Sequence, residues 1–355
     1  PSDESFQKFR ASEDEFLGTV RDDLESVAGD VSTLDGVEVT IRANLDYSGG
    51  FENATRFGGS GIGLYRSEYL FNRNRGYPSE AQQVEEYRKI ADLAGDEGVR
   101  IRTFDLSIDE MPTRTGAGEN NPALGLKAIR LALAEEKEFR RQLRALLIAS
   151  YQKRLDIVLP MISDVSEIRV AKEIIEEEKR RLKEESINTG NPKLGAMIEV
   201  PSAIFVIDEI LEESDFISLG TNDLVQYLLA VDRDNEDVAY WFQTLHPSVL
   251  RSVKIILDAA NKAGKPAIVC GEMAGSQLYA AILVGMGATE LSMNPNSIPR
   301  VKRIIQGIAA EESEDILEEL LGFSTAEEVE QAVNEKLLEN WAHLFNTNTQ
   351  QNKFR

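Results

Sequence analysis

From about Gly36 onward, short β-branched or apolar runs alternate with longer stretches whose apolar positions recur at helical spacing. The short runs are Val37–Ala43, Gly61–Arg66, Val99–Phe104, Asp156–Pro160, Leu194–Val200, Asp215–Leu219, Pro266–Cys270 and Thr289–Met293. Their length and composition predict about eight strands. The intervening segments predict helices, among them Ser79–Ala94, Asp164–Glu185, Ser202–Leu211, Pro247–Ala263, Gln277–Val284 and Pro299–Ala309. Strands alternating with helices give parallel pairing through crossovers. A run of this length matches a closed (β/α)8 barrel, the α/β class whose usual size is about 250 residues. An open doubly wound sheet is the second choice, but no Gly-x-Gly-x-x-Gly turn follows the first strand.

The flanks read differently. Residues 1–32 are polar and acidic, helix-prone around Phe6–Ala28, and suggest a helical linker ahead of a barrel over 33–310. The sequence starts at Pro1 without a Met, so an excised piece of a longer chain is the expectation. Beyond the barrel, Ile316, Leu317, Leu320, Val329, Val333, Leu337 and Leu338 fall at helical spacing, predicting an amphipathic helical extension over 311–345. The Asn/Gln-rich stretch 346–355 reads as a disordered tail.

Charge narrows the function classes. Against 39 Lys and Arg stand 61 Asp and Glu, a net charge of −22. Such a chain neither neutralises nucleic-acid backbones in bulk nor docks on anionic membranes. A single cysteine excludes an intrachain disulfide and a Cys-rich zinc site, and suits a cytoplasmic setting. No secretory signal pattern and no membrane-spanning apolar run is present in the sequence.

In a barrel the chemistry sits at the C-terminal strand ends. Those ends carry Arg66, Arg102 with Asp105, Met161, Glu199, Asn222 with Asp223, Cys270 with Glu272, and Asn294, and the segment after strand six adds Asp232 and Arg233. Glu199 and Asp223 are hard oxygen donors for a divalent cation, and Mg2+ takes one or two carboxylates plus substrate oxygens. Arg66, Arg102 and Arg233 present guanidinium forks for phosphate and carboxylate. The set points to a small phosphorylated acid. Taken one at a time these residues have plainer readings. Acids at strand ends cap helices, arginines pair with neighbouring acids, and a lone Cys is usually a buried small apolar group. By the same reasoning His246, before Pro247, is a helix-start hydrogen-bonder, His343 near Trp341 is packing, and Lys172–Glu185 is a solvated helix face. The coincidence on successive strands favours the chemical reading.

The runs Gly61-Ile-Gly-Leu-Tyr-Arg-Ser-Glu-Tyr-Leu-Phe71, Asn121-Pro-Ala-Leu-Gly125, Leu159-Pro-Met-Ile162, Met197-Ile-Glu-Val-Pro201, Gly220-Thr-Asn-Asp-Leu-Val-Gln-Tyr227, Leu229-Ala-Val-Asp-Arg233 and Cys270-Gly-Glu-Met-Ala-Gly275 carry a resemblance. In order and spacing they are similar to the phosphoenolpyruvate-binding barrel of the Enzyme I family, the phosphoenolpyruvate–protein phosphotransferases among the PEP-utilising enzymes. Pyruvate phosphate dikinase and phosphoenolpyruvate synthase share the barrel. The resemblance implies that Arg66, Arg102, Asn222 and Arg233 contact phosphoenolpyruvate and that Glu199 and Asp223 hold Mg2+. It implies that Cys270 protonates the enolate carbon to give pyruvate. It also implies a homodimer and a phosphohistidine domain as partners.

Two departures from the family pattern stand out. The phosphoacceptor domain with its Thr-Ser-His type motif is not in this sequence, and neither His246 nor His343 sits in such a context. Where the family has Asp-Ile-Gly-Gly-Asp-Lys, this chain has Asp105-Leu-Ser-Ile-Asp-Glu110, and Lys127 stands where Arg is common. An acid near the phosphate and a lysine without the bidentate fork both predict weaker anion binding. Two other classes are set against the phosphotransferase. A Mg2+-dependent carbon–carbon lyase acting on pyruvate enolates is disfavoured by Cys270 in its family-like motif. A non-catalytic sensor or dimerisation module is kept open by the altered Ser107–Glu110 segment.

Overall fold

The computed structural model describes residues 31–111 and 118–344. The helix expected at Phe6–Ala28 and the tail over 346–355 lie outside the described residues. Eight parallel strands among the described residues form a closed barrel in sequence order. They are β1 (Thr40–Leu45), β2 (Ile62–Arg66), β3 (Val99–Arg102), β4 (Leu155–Leu159), β5 (Leu194–Ile198), β6 (Phe216–Gly220), β7 (Ala267–Cys270) and β8 (Glu290–Met293). Closure is made by β1 against β8, with Thr40 opposite Glu290 and Ala43 opposite Met293. The fold is therefore a (β/α)8 barrel, and the open sheet is excluded. β1 starts later than its apolar run suggests, because Ser32 bridges Glu38 antiparallel and Val39 N–H donates to Val31 O, making a small hairpin before the strand.

Alternation along each strand sorts side chains between two cores. One face packs against the surrounding helices in the main apolar core. The other fills the barrel interior, where Leu64, Val158, Met197, Phe216, Ile268 and Cys270 form a separate cluster. At the N-terminal strand ends the interior is charged. Arg100 of β3 grips both carboxylate oxygens of Glu290 at 2.6 and 3.0 Å, and Arg42 of β1 joins them. Burial would push the Glu290 carboxyl up, but the two arginines outweigh it and hold it below the ordinary range. The Arg100 guanidinium also lies 4.9 Å from the centre of the Phe216 ring. Ion cluster, apolar plug and open mouth thus follow one another along the barrel axis.

The helices begin where the sequence supplies caps. Ser79 with Gln82 and Asp164 with Glu167 make capping boxes for the helices Glu80–Ala94 and Val165–Glu184. His246 caps Pro247–Ala263 by accepting the Ser248 N–H at 3.2 Å, the hydrogen-bonding role its position suggests. Three expectations need correction. The helix expected over Ser202–Leu211 is two helices, Pro201–Phe205 and Ile207–Glu213, broken at the β-branched Val206. Ile204, Ile207 and Ile210 are buried on either side of the break. The charged face Lys172–Glu185 is not wholly solvated. Glu178 is buried, accepting from Arg181 of its own helix at 2.7 Å and from Arg140 at 2.8 Å and Arg144 at 3.5 Å, both presented by the helix Glu136–Ala149. His343 is exposed rather than packed. Its neighbour Trp341 is the buried one, donating from Nε1 to Glu312 at 3.0 Å.

After the barrel come the helices Ala310–Gly322 and Ala326–Asn340. Ile316, Leu317, Leu320, Val329 and Val333 face inward, as their spacing predicts. No helix among the described residues is long and apolar enough to cross a membrane.

Candidate active site

A cavity of about 430 Å3 opens at the C-terminal ends of the strands, and Arg66, Arg102, Glu199, Asn222, Asp223, Arg233 and Cys270 all line it. Register explains part of this convergence. Arg66 and Arg102 end neighbouring strands and are direct partners in the β2–β3 ladder. Gly220 and Cys270 are partners between β6 and β7. Asn44, Asp46, Asp105 and Asn294 line the cavity too. Asn44 and Asp46 were not singled out from the sequence. The available signal was alternation, since Asn44 is a polar residue at an inward position of β1 and Asp46 follows that strand directly.

The arginines are held from behind. Arg102 lies 3.2 Å from both Glu68 and Asp105, while its Nε has no hydrogen-bond partner. Ser67 Oγ donates to the Arg102 carbonyl at 2.7 Å. Gln142, buried on its helix, donates to Ser67 Oγ at 3.1 Å and to Tyr87 at 3.0 Å, and accepts the Phe104 N–H at 3.0 Å. One amide therefore ties the end of β2 to the end of β3. Lys127 reaches Asp105 at 3.2 Å. Burial alone would raise the Asp105 carboxyl, but Arg102 and Lys127 hold it below its usual range. The altered segment after β3 folds on itself. Ser107 and Glu110 form a capping box, with the Ser107 N–H donating to Glu110 at 2.6 Å, so the Glu110 carboxylate turns into its own loop and away from the cavity lining.

Glu199, just past β5, is 1% exposed. It accepts the Met161 N–H at 2.7 Å, and Met161 takes a left-handed backbone (φ 59°) that only the surrounding structure sustains. Gly220 is required beside it, because a Cβ there would stand 2.3 Å from the Glu199 carboxylate. Burial, then repulsion from Asp223 and Asp105, pushes the Glu199 carboxyl up to about 8. Asp223 sits in the first turn of the helix Thr221–Leu229, with Arg233 3.6 Å away. Thr221 Oγ1 donates to the Cys270 carbonyl at 2.9 Å, and the Glu272 N–H donates to Asn222 at 3.2 Å. These bonds hold the β6 and β7 ends together. Gly271 (φ 108°) permits the approach, since a Cβ would lie 2.5 Å from Thr221 Oγ1. Cys270 is 2% exposed, with Sγ 3.3 Å from Ser218 Oγ, and burial pushes its thiol up to about 11.

This donor set fits a hard divalent cation. Two carboxyl groups, Glu199 and Asp223, repel one another across a cavity wall, and a cation between them would offset that repulsion, the second cause of the Glu199 shift after burial. Among the described residues no group of three or more His, Cys, Asp or Glu side chains converges to hold a metal. Two protein carboxylates are what Mg2+ sites commonly use before water and substrate oxygens complete them.

Fold and cavity together define a (β/α)8 barrel with a cavity lined by arginines and carboxyl groups at its strand C-terminal face. Comparison with known families makes this specific. Residues 23–310 match the family described as PEP-utilising enzyme, PEP-binding domain, and the chain belongs to that family. The phosphoenolpyruvate-protein phosphotransferase of Listeria monocytogenes is 42% identical over 301 residues, covering 84% of this chain and 53% of its own length. Those of Staphylococcus aureus and Staphylococcus epidermidis are 40% and 41% identical, covering 86% of this chain and 54% of their own length. The chain spans about half the length of these relatives.

Proposed function

We propose that the chain binds phosphoenolpyruvate with Mg2+ at the barrel mouth and supports transfer of its phosphoryl group to a histidine on a domain outside this sequence, releasing pyruvate. The observation that carries this is the convergence of three arginines, two cation-donor acids, an amide and a thiol in one cavity. The family match and the names of the relatives support it.

Arg66, Arg102 and Arg233 would take the phosphate and carboxylate oxygens, and Asn222 would hydrogen-bond the ligand. The Arg102 Nε, lacking a partner, is free to donate. Glu199 and Asp223 would hold Mg2+, which supplies neutralisation of charge on the phosphoryl oxygens and the enolate. The protein's own contribution is alignment and fixed positive charge, the main terms in phosphoryl transfer. Phosphoryl departure leaves the enolate of pyruvate. Cys270 Sγ would give its proton to the methylene carbon, forming the methyl C–H bond and leaving a thiolate that solvent reprotonates. Raised to about 11, the thiol holds that proton throughout the neutral range. His246 and His343 do not line the cavity, which fits an acceptor histidine elsewhere.

The same reading carries a cytoplasmic setting and a homodimer. Calorimetric titration with phosphoenolpyruvate, with and without Mg2+, is the test. Saturable Mg2+-dependent binding is expected, and no heat at millimolar ligand would remove the proposal. Light scattering that finds only monomer at high concentration would remove the dimer.

A further inference from the structure

Arg66 does not stand free at the cavity mouth. Asp46 engages it with both carboxylate oxygens, Arg66 Nε donating to Oδ1 and a terminal nitrogen donating to Oδ2 at 2.9 Å. The guanidinium fork pairs with one planar oxyanion at a time on that edge. Asp46 therefore occupies the edge that a phosphate or carboxylate would use. The two side chains are 50% and 47% exposed, so water screens the pair and its rupture costs little. Arg102 is different. It is nearly buried, braced by Glu68 and Asp105, and its Nε has no partner to displace. Of the arginines ending β2 and β3, only Arg66 is both half-exposed and engaged on its fork by an acid that itself lines the cavity.

The balance of charge makes this consequential. Besides Glu199, four carboxyl groups, on Asp46, Asp105, Asp223 and Glu272, line the cavity against the guanidiniums of Arg66, Arg102 and Arg233. An incoming anion meets a mouth whose most exposed arginine is already paired. Once displaced, the Asp46 carboxylate stays on the same rim and repels the anion that replaced it.

We propose that Asp46 is an intramolecular competitor for the anion at Arg66, a residue that keeps ligand affinity low. The proposal rests on the reading that Arg66 takes an anion, and it adds the residue that opposes this. Asp46→Asn keeps the shape, removes the charge and leaves Arg66 available.

The test is calorimetry on the full chain at low ionic strength with saturating Mg2+. Inorganic phosphate and phosphoenolpyruvate are titrated separately into the unaltered protein, Asp46→Asn, Arg66→Gln and the double variant. Asp46→Asn is expected to tighten both ligands roughly 3- to 10-fold, an effect that shrinks as salt is added. In the Arg66→Gln background the same change is expected to tighten them distinctly less, because only the repulsion by the Asp46 charge is then removed. Unchanged or weaker binding by Asp46→Asn overturns the proposal. So does equal tightening in the Arg66→Gln background, which marks a general charge effect. Phosphate showing the expected pattern while phosphoenolpyruvate binds none of the four proteins leaves the competitor standing and removes the proposed function. No binding of either ligand by any of them overturns both.

Discussion

The burial that pushes the Cys270 thiol up to about 11 keeps the proton on sulfur at the floor of the cavity, where an enolate would need it. Cys270→Ala is expected to slow incorporation of solvent deuterium into the pyruvate methyl group by about 100-fold or more, while phosphoenolpyruvate affinity changes little. Proton NMR of the methyl signal reads the first and calorimetry the second. Glu199 carries the opposite liability. Its carboxyl titrates at 4.5 when unperturbed and near 8 in the fold, because burial and the Asp223 and Asp105 charges disfavour the anion. Folding therefore favours the protonated form. That advantage is complete below the ordinary carboxyl range and drains away as pH rises to about 8. In chelator, the chain is expected to lose of the order of a few kcal/mol over that interval. Glu199→Gln is expected to flatten the loss, and thermal melts across the pH series would show it.

At the level of elements, the ends of β2 and β3 are coupled through a side chain on a helix that never touches the cavity. Gln142 serves Ser67, Tyr87 and the Phe104 N–H at once, all in a buried setting. Gln142→Leu keeps the bulk but leaves those groups without partners. A cost of about 2–4 kcal/mol is expected in urea unfolding. The altered loop after β3 also acquires meaning only as an element. Its Glu110 is spent on a capping box, and the acid that reaches the arginine and Lys127 is Asp105. The weaker anion binding predicted from Glu110 thus loses its stated cause, and the opposing charge at the mouth comes instead from Asp46, beyond β1.

For the whole molecule the dominant quantity is the net charge of −22. Like charges on a compact body repel, and salt screens them within a Debye length of about 10 Å at 0.1 M. The melting temperature is expected to rise by several degrees as sodium chloride goes from about 20 mM to about 0.5 M. Scanning calorimetry giving a flat or falling trend would show that internal ion pairs, such as those around Glu178 and Glu290, outweigh surface repulsion.

Strand number, most strand positions and the barrel itself were legible along the chain, because they depend on local periodicity and on breakers a few residues away, while β1 runs over Thr40–Leu45 rather than Val37–Ala43. The seven polar residues at those ends could be named for the same reason: a parallel barrel brings every strand's C-terminal end to one face. Other features were settled only by folding. Arg66 meets Asp46 from 20 residues away, Gln142 meets Ser67 from 75, and Arg140 buries Glu178 from 38. The raised Glu199 carboxyl and Cys270 thiol belong with these. No window of sequence holds both partners of such a pair. Burial and charge are properties of the assembled surroundings, so what each titratable group does depends on neighbours that only the closed barrel supplies.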